Sequence, residues 1–353
     1  MNKIKSIFSA QEQLGNYFGN KIILLYKSIL LLIFIIFYIK NQIIFKINIK
    51  KKFKSIGLIN KLDLDFEKKI FAILRIDCEN CGLFSFYNHY LGCIYSSLKK
   101  GYIPIIDLAF HNIFNRDNLS LLVNNPWELY FNQPYGYTLE NVKKNAKYIK
   151  NIKCEININE VPNRYTIYKD KYLKAFWHDI ANMFIPINNN IIKESKKIMK
   201  YLLNNSNKKN NTLGVLVRGT DYIACRPKYH ARQPSTETMF KDIKRMLKKN
   251  NYDWIFLATE DELIRQKFIS EFKEKIKFVK PSKNIEYKYE KKLYLYYDKA
   301  IKFDYDYFKT YIINILILSK CNDIICSRNN GSIAAFIFTD GFRNKKVYYL
   351  GEY

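Results

Sequence analysis

Residues 213–222 read LGVLVRGTDY, an apolar run that ends in a cluster of polar residues. Two later stretches have the same plan: WIFLATED at 254–261 and DIICSRNNGS at 323–332. Short apolar runs rich in β-branched and aromatic residues predict buried strands, and a helical pattern follows each of them. Because repeated strand–helix units pack as parallel sheets covered by helices, the sequence predicts an α/β fold.

The alternation of strands and helices extends to the C-terminus and also occurs in the first half of the chain. A strand–helix–strand unit is predicted at 70–76, 84–99 and 102–108. Further helices are predicted at 139–148, 171–183, 191–203, 235–249, 262–272, 307–319 and 332–338, and further strands at 277–280 and 347–350.

A length of 353 residues favours two domains over one. The polar run NNSNKKNN at 204–211 interrupts the regular pattern and is the predicted linker. The predicted division is therefore a hydrophobic and basic segment at 1–55, a first α/β domain at 56–211 and a second at 212–353.

The formal charge of +27 by itself favours nucleic acid or an anionic membrane surface as a partner. Only ten of the 59 basic residues are Arg, however, and the Lys residues are scattered along the chain. This distribution favours a solvated Lys surface, so no nucleic-acid partner is predicted, and a functional basic face is the alternative. The scarce Arg residues are more informative, and Arg218, Arg226 and Arg232 lie close together.

The segment 1–55 contains an apolar run at 22–39 that has about the length of a short membrane span but is interrupted by Lys27. Membrane contact and a helix packed on the protein are both left open. More Lys residues follow the run than precede it, which predicts a cytoplasmic location for the downstream domains. They would lie at the inner face of the cytoplasmic membrane if the run contacts lipid.

The seven Cys residues show no disulfide framework, so free thiols in a reducing compartment are expected. Cys78 and Cys81 have the C-x-x-C spacing of a zinc site, but no second pair of ligands completes it. The D-x-D pairs at 63–65 and 304–306 do not end a buried strand. No metal site is therefore predicted.

The polar residues that follow the three strands are expected to converge at one edge of the sheet. Arg218 can direct two donors at a diphosphate, although pairing with the Asp three residues later would also explain it. Gly331 and Ser332 open a helix, where backbone N–H groups favour phosphate, but capping alone is the alternative. Glu260 and Asp261 are candidates for sugar hydroxyls or base edges, or for acids in the first turn of the next helix.

VRGTDY at 217–222, FLATED at 256–261 and the Gly-Ser helix start at 331 resemble the GDP-fucose-binding motifs of a superfamily. It comprises α1,6-fucosyltransferases, nodulation fucosyltransferases and protein O-fucosyltransferases. The resemblance implies a GT-B architecture, in which two Rossmann-like domains with parallel sheets face each other. The first domain would then be the acceptor side, and the second would bind the nucleotide sugar.

The resemblance also implies roles for individual residues. Arg218 would grip the β-phosphate, and Ser332 would contact phosphate. The implied donor-binding residues of the second domain are Gly219, Thr220, Thr259, Glu260, Asp261, Gly331 and Ser332. The chain departs from the family pattern at Gly219, where the family often has a second Arg, which puts one phosphate or base contact in doubt.

The stretch CGLFSFYNHYLG at 81–92 is similar to the family's glycine-containing first loop, which covers the donor from the opposite domain. This likeness adds Gly82, Phe84, Asn88 and His89 as donor-binding candidates, and a buried helix histidine is the alternative for His89. The stretch RPKYHARQPS at 226–235 resembles bacterial polysaccharide-synthesis relatives, which implies a cell-surface glycan as acceptor.

The family inverts the anomeric centre by direct displacement, with the GDP-sugar as co-substrate and with neither metal nor other cofactor. A general base must then lie close to the acceptor hydroxyl. Asp221 is the first candidate because it lies near Arg218 at the same strand end, followed by His230 and Asp77. The expected catalytic residues are therefore Arg218, Asp221 and His230.

Three functions follow from these patterns. The first is transfer of fucose from GDP-fucose to a bacterial surface glycan. The second is transfer of another GDP- or UDP-linked sugar on the same fold, for which Gly219 leaves room. The third is a non-enzymatic basic protein that binds nucleic acid or anionic lipid. The sequence does not predict an oligomeric state.

Overall fold

The computed structural model describes most of the chain after residue 65. The described residues are 66, 68–77, 81–109, 124–154, 161–202, 211–219, 222, 226, 228–281 and 305–353. The expected N-terminal segment 1–55 with its apolar run 22–39 lies outside them, as do Thr220, Asp221 and most of the expected linker. Within the described ranges, no helix combines the length and the apolar character needed to cross a membrane.

Three parallel strands form the first sheet, with β1 (Ile70–Arg75) between β2 (Ile103–Ile106) and β3 (Tyr148–Lys153). Four consecutive residues of β1 are buried, as expected for an apolar strand that is covered on both faces. Helix α1 (Leu83–Lys99) connects β1 to β2. Parallel neighbours need a crossover of this kind, since a short turn cannot return the chain to the starting edge.

The second sheet contains the parallel strands β4 (Thr212–Leu216), β5 (Trp254–Ala258), β6 (Ile276–Lys277), β7 (Asp323–Ser327) and β8 (Asn344–Tyr348). They lie in the order β6-β5-β4-β7-β8, and every residue of β4 and of β7 is buried. The predicted α/β class with parallel sheets is thus confirmed.

The remaining helices of the described residues are α2 (Trp127–Tyr130), α3 (Leu139–Asn145), α4 (Lys171–Phe184), α5 (Asn189–Leu202), α6 (Thr236–Lys249), α7 (Glu262–Phe272), α8 (Tyr305–Ser319) and α9 (Asn330–Phe338). Five of them begin at a side chain that accepts a hydrogen bond from the first turn: Thr138, Asp170, Ser235, Asp261 and Asn329. Such side chains satisfy backbone N–H groups that have no partner inside the helix, so they determine where these helices start.

The structure corrects the prediction of a helix at 139–148. Helix α3 ends at Asn145, and the residues from Tyr148 to Lys153 form strand β3. The sequence YIKNIK of this strand is mostly exposed, and it lacks the apolar run that identifies a buried strand. Pairing with β1 at the edge of the sheet supplies the backbone hydrogen bonds instead, and local sequence does not reveal such pairing.

Helices α1, α4, α8 and α9 pack on one another and bring the two sheets into one compact unit that spans Asp65–Tyr353. Aromatic rings fill this layer, with Phe84 of α1 5.0 Å from Tyr311 of α8 and Tyr87 of α1 5.5 Å from Phe338 of α9. The two sheets fall on opposite sides of the expected boundary near residue 211. The division into two domains stays a prediction.

Asp323, the first residue of β7, is fully buried and holds the amino edge of the second sheet together. It accepts hydrogen bonds from Arg343 Nη2 at 2.6 Å, from the backbone N–H of Asn344 at 2.7 Å and from the hydroxyl of Tyr252. Burial by itself would raise the pKa of this carboxyl, but the bonds from Arg343, Tyr252 and Asn344 together hold its pKa below the ordinary value.

We expect Asp323→Ala to lower the free energy of unfolding at pH 7 by about 3 kcal/mol, because it leaves the buried donors without an acceptor. A lowered folded-state pKa means that the contribution is present above the unfolded-state pKa, about 3.9, and is lost as the pH falls through the folded-state value. Urea unfolding of both proteins at several pH values measures this difference.

The matched control is Asp340→Ala, which removes an exposed carboxylate that pairs with Lys320 at 3.2 Å. Because both partners of this pair are exposed to solvent, we expect a loss below about 0.5 kcal/mol. Equal losses for the two variants would contradict the structural role of Asp323.

Candidate functional site

The three polar strand ends that were expected to converge do lie side by side at the carboxyl edge of the second sheet. Strand β4 lies between β5 and β7, and the last residues paired in their register are Leu216, Ala258 and Cys326. Two positions beyond these residues, Arg218 therefore lies in register between Glu260 and Arg328. We refer to these three residues as the strand-end row.

The strand order places a topological switch point inside this row. The chain adds β5 and β6 on one side of β4, and it adds β7 and β8 on the other side. The connections that leave β4 and β7 run in opposite directions, which opens a crevice outside their carboxyl ends. Arg218 and Arg328 follow the two strands that flank this point, outside which ligands of open parallel sheets bind.

Arg218 is held at the strand end by a carboxylate and an aromatic ring. Its Nε lies 3.4 Å from Oε1 of Glu260, and its guanidinium lies 5.1 Å from the centre of the Tyr222 ring. Its side chain is only 14% exposed. A guanidinium keeps its charge in such surroundings, so Arg218 can present a fixed positive charge to the crevice.

Gly219 occupies a position where a side chain does not fit. A Cβ atom added there would lie 2.5 Å from Oδ2 and 2.7 Å from Cβ of Asp261, and 2.8 Å from Cδ1 of Ile264. The backbone just after β4 therefore packs directly against the start of α7. This contact explains why the chain has glycine at position 219, and any ligand contact here would come from the backbone.

Thr259 and Asp261 are engaged in starting helix α7. Oδ1 of Asp261 accepts from the N–H of Ile264 at 3.0 Å, and Oγ1 of Thr259 accepts from the N–H of Asp261 at 3.2 Å. Arg265, which is buried, donates to the carbonyl of Thr259 at 3.2 Å. Capping thus accounts for Asp261, and a contact of these residues with a donor stays a prediction.

Ser332 is fully buried at the start of helix α9. Its Oγ accepts from the N–H of Asn329 at 3.0 Å, donates to the carbonyl of Ser327 at 2.7 Å, and lies 2.8 Å from the hydroxyl of Tyr168. A hydroxyl can donate one hydrogen bond and accept two, so these three bonds use the full hydrogen-bonding capacity of the Ser332 hydroxyl. The phosphate contact implied for Ser332 stays a prediction. Gly331 packs closely on α8, because an added Cβ would lie 2.5 Å from the hydroxyl of Tyr311.

Helix α1 brings residues of the first half close to the start of α9. Nδ2 of Asn88 donates to the carbonyl and to the side-chain oxygen of Asn330, each at 3.2 Å. Phe84 is buried among the rings of the helical layer, so its position is that of a core residue. Gly82 lies immediately before α1, and a Cβ added to it would meet open space.

His89 lies in α1 with a buried Nδ1 that has no hydrogen-bond partner among the described residues. Burial disfavours the imidazolium and lowers the pKa of His89 to about 4. The ring is therefore neutral at neutral pH. The contact of His89 with a donor stays a prediction.

Among the expected general bases, His230 lies in the neighbourhood of Arg218. Its ring packs edge-on against Tyr222 with the centroids 5.4 Å apart, and Tyr222 in turn lies beneath the Arg218 guanidinium. Asp77 follows β1 of the first sheet and pairs with Lys153 at 2.9 Å. Asp221 lies outside the described residues, so its role as first candidate stays a prediction.

Arg328 was not among the site residues expected from the sequence, but the structure places it in the row. It follows β7 directly, is only 6% exposed, and lies between the rings of Tyr165 and Tyr349. A signal was present in the sequence, since Arg is scarce in this chain and Arg328 follows an apolar strand as Arg218 does.

The cysteines differ in part from expectation. Cys81 is disulfide-bonded, so the expectation of free thiols is wrong for this residue. Cys154, Cys321 and Cys326 are buried free thiols, and burial raises the pKa of Cys326 to about 12. Within the described ranges, no group of three or more His, Cys, Asp or Glu residues is arranged to hold a metal ion.

The sequence matches no protein-family model and no curated protein. The chain is similar in structure to NodZ α-1,6-fucosyltransferase co-crystallised with GDP, with 12% identity, coverage of 77% of this chain and 93% of the other, and a TM-score of 0.43. Fucosyltransferase NodZ from Bradyrhizobium gives 13% identity, coverage of 77% and 94%, and a TM-score of 0.42. POFUT1 in complex with GDP gives 9% identity, coverage of 80% and 99%, and a TM-score of 0.42. These TM-scores lie below 0.5, so the function is inferred from the residues of the chain itself.

We expect Gly219→Ala to lower the free energy of unfolding by about 1–3 kcal/mol, because the new Cβ overlaps the residue that caps α7. The control is Gly82→Ala, whose Cβ enters open space and whose φ of −75° is ordinary, so we expect a change within about 1 kcal/mol. Thermal and urea unfolding compare the two. A well-tolerated Gly219→Ala would contradict the close packing of β4 on α7.

We also expect a pH-dependent loss of stability that is caused by His89. Between pH 6.5 and about 4 the unfolded chain binds a proton that the folded chain does not bind at His89, so stability falls by up to roughly 3 kcal/mol as the pH decreases. His89→Phe cannot take up this proton and should be less sensitive over the same range. Urea unfolding of both proteins at pH 7, 5.5 and 4.5 tests this, and parallel pH profiles would rule it out.

Proposed function

We propose that this chain is a glycosyltransferase of GT-B type that transfers fucose from GDP-fucose, by inversion and without a metal ion, to a bacterial surface glycan. The observation that carries the proposal is the strand-end row. Three segments that resemble GDP-fucose-binding motifs lie on adjacent strands, with Arg218 at the switch point of the sheet. A nucleotide sugar is the class of ligand that such a crevice binds through its phosphates.

Arg218 is suited to the charge that develops during sugar transfer. In a single displacement, the acceptor oxygen attacks the anomeric carbon while the bond from that carbon to the β-phosphate oxygen breaks. The bonding electrons leave with GDP, and the acceptor proton passes to the general base. A guanidinium held by Glu260 can form two charge-assisted hydrogen bonds to the departing phosphate, and its low exposure strengthens them.

The general base must lie on the acceptor side of this row. We propose Asp221 for this role and His230 as the alternative, since His230 packs against the Tyr222 ring that Arg218 also contacts. The acceptor class rests on the likeness of residues 226–235 to bacterial polysaccharide-synthesis proteins. A reaction at the inner face of the cytoplasmic membrane would suit such an acceptor.

The proposal is tested by calorimetric titration of the full chain with GDP and, separately, with UDP, both in EDTA. We expect GDP to bind in EDTA and Arg218→Ala to weaken this binding by about 10- to 100-fold, because two charge-assisted hydrogen bonds are lost. Arg218→Lys should restore only part of the affinity, since an ammonium cannot reproduce the planar fork.

Arg245→Ala is the matched control. Its side chain is 66% exposed on α6 and pairs with Asp242 at 2.9 Å, so GDP affinity should not change. Preferential binding of UDP would support a different donor on the same fold. If neither nucleotide binds the folded chain, the transferase proposal fails, and the chain would be better explained as a basic binding protein.

A further inference from the structure

We infer that Arg328 is a second phosphate-binding residue, which lies beside Arg218 in the strand-end row and binds the diphosphate of the nucleotide sugar. This inference rests on the proposed function and extends it to a residue that the motifs do not include. It follows from three observations on the described residues: the burial of Arg328, its lack of an anionic partner, and its register with Arg218.

Arg328 is a buried cation without a carboxylate. It is 6% exposed, and within the described part of the chain it forms neither an ion pair nor a hydrogen bond, with Nε fully buried. Removing a charged group from water is costly unless a partner compensates for it. The rings of Tyr165 and Tyr349, 4.9 Å and 5.0 Å from the guanidinium, attract the charge but do not provide the oxygen acceptors that its N–H groups need.

The groups around Arg328 add positive charge. Nζ of Lys169 lies 4.9 Å from the centre of the same Tyr349 ring. The nearby carboxylate of Glu352 is engaged elsewhere, because it accepts from the hydroxyl of Tyr165 at 2.5 Å and pairs with Arg164 at 3.3 Å. Helix α9 begins two residues after Arg328 and directs the positive end of its dipole to the same edge. An anion is the ligand that this environment favours.

The register decides which anion is bound. Arg218 and Arg328 lie at equivalent positions of neighbouring strands, and strands in a sheet are about 5 Å apart. The row contains two guanidinium groups and a single carboxylate, that of Glu260. The two Arg residues therefore start from adjacent backbone positions, and an anion bound to both offsets the repulsion between their like charges. A diphosphate has oxygens on two linked phosphorus atoms and can therefore accept hydrogen bonds from both residues at once.

The test uses Arg328→Met in the full chain, with GDP and inorganic pyrophosphate as the titrants. Met keeps an unbranched stem between the two tyrosine rings and removes the charge. We expect the variant to bind both titrants about 10- to 100-fold more weakly than the wild type. Its unfolding transition without titrant should be unchanged or higher, because an uncompensated buried charge has been removed. Arg245→Met, on the exposed face of α6, is the matched control and should change neither property.

The outcomes separate this inference from the proposed function. If the wild type binds GDP and Arg328→Met binds it equally well, the inference is wrong and the proposed function stands. A lower unfolding transition with unchanged affinity would likewise show that Arg328 has a structural role only. If the wild type binds pyrophosphate but not GDP, and the variant loses pyrophosphate, the anion site stands and the nucleotide assignment fails. Binding of neither titrant by the folded wild type overturns both.

Discussion

Backbone hydrogen bonds between β4 and its two neighbours hold segments that are far apart in the sequence in one parallel register. Each strand contributes its next polar residues at the same edge, so the positions of Glu260, Arg218 and Arg328 follow directly from strand pairing. A slip of one residue would turn these side chains to the opposite face of the sheet. The continuous burial of β4 and β7 prevents such a slip, because any shift would place a polar strand-end residue in the core.

Buried charged groups have different partners at the two edges of this sheet. At the amino edge, Asp323 is surrounded by donors and the charge of Arg343 compensates for it, which is the arrangement expected of a structural group. At the carboxyl edge, Arg218 shares Glu260 with the backbone N–H of Gly219, and Arg328 contacts aromatic rings. Charged groups whose compensation comes from aromatic rings, as at Arg328, are found more often at functional sites, so this contrast supports the proposal that places the site at the carboxyl edge.

The helical layer connects this edge to the first half of the chain. Asn88 of α1 bonds to Asn330 at the start of α9, and Tyr168 contacts Ser332 two residues further along. Tyr165 covers Arg328 from the same segment as Tyr168. Residues from both halves of the chain therefore meet around the start of α9. The candidate donor-binding residue Phe84 instead lies inside the layer, where apolar packing decides its environment.

The sequence by itself determined the parallel α/β class, the helix starts at capping residues, and the three polar strand ends around Arg218. Those features depend on local periodicity, on side chains that bond to their own first turn, and on the rule that parallel strands end at one edge. The edge strand β3, the need for glycine at 219 and the contact between Tyr168 and Ser332 were decided only by the tertiary structure. So was the environment of Arg328. Each of these depends on neighbours that are distant in sequence, and burial and charge compensation can be read only once those neighbours are in place.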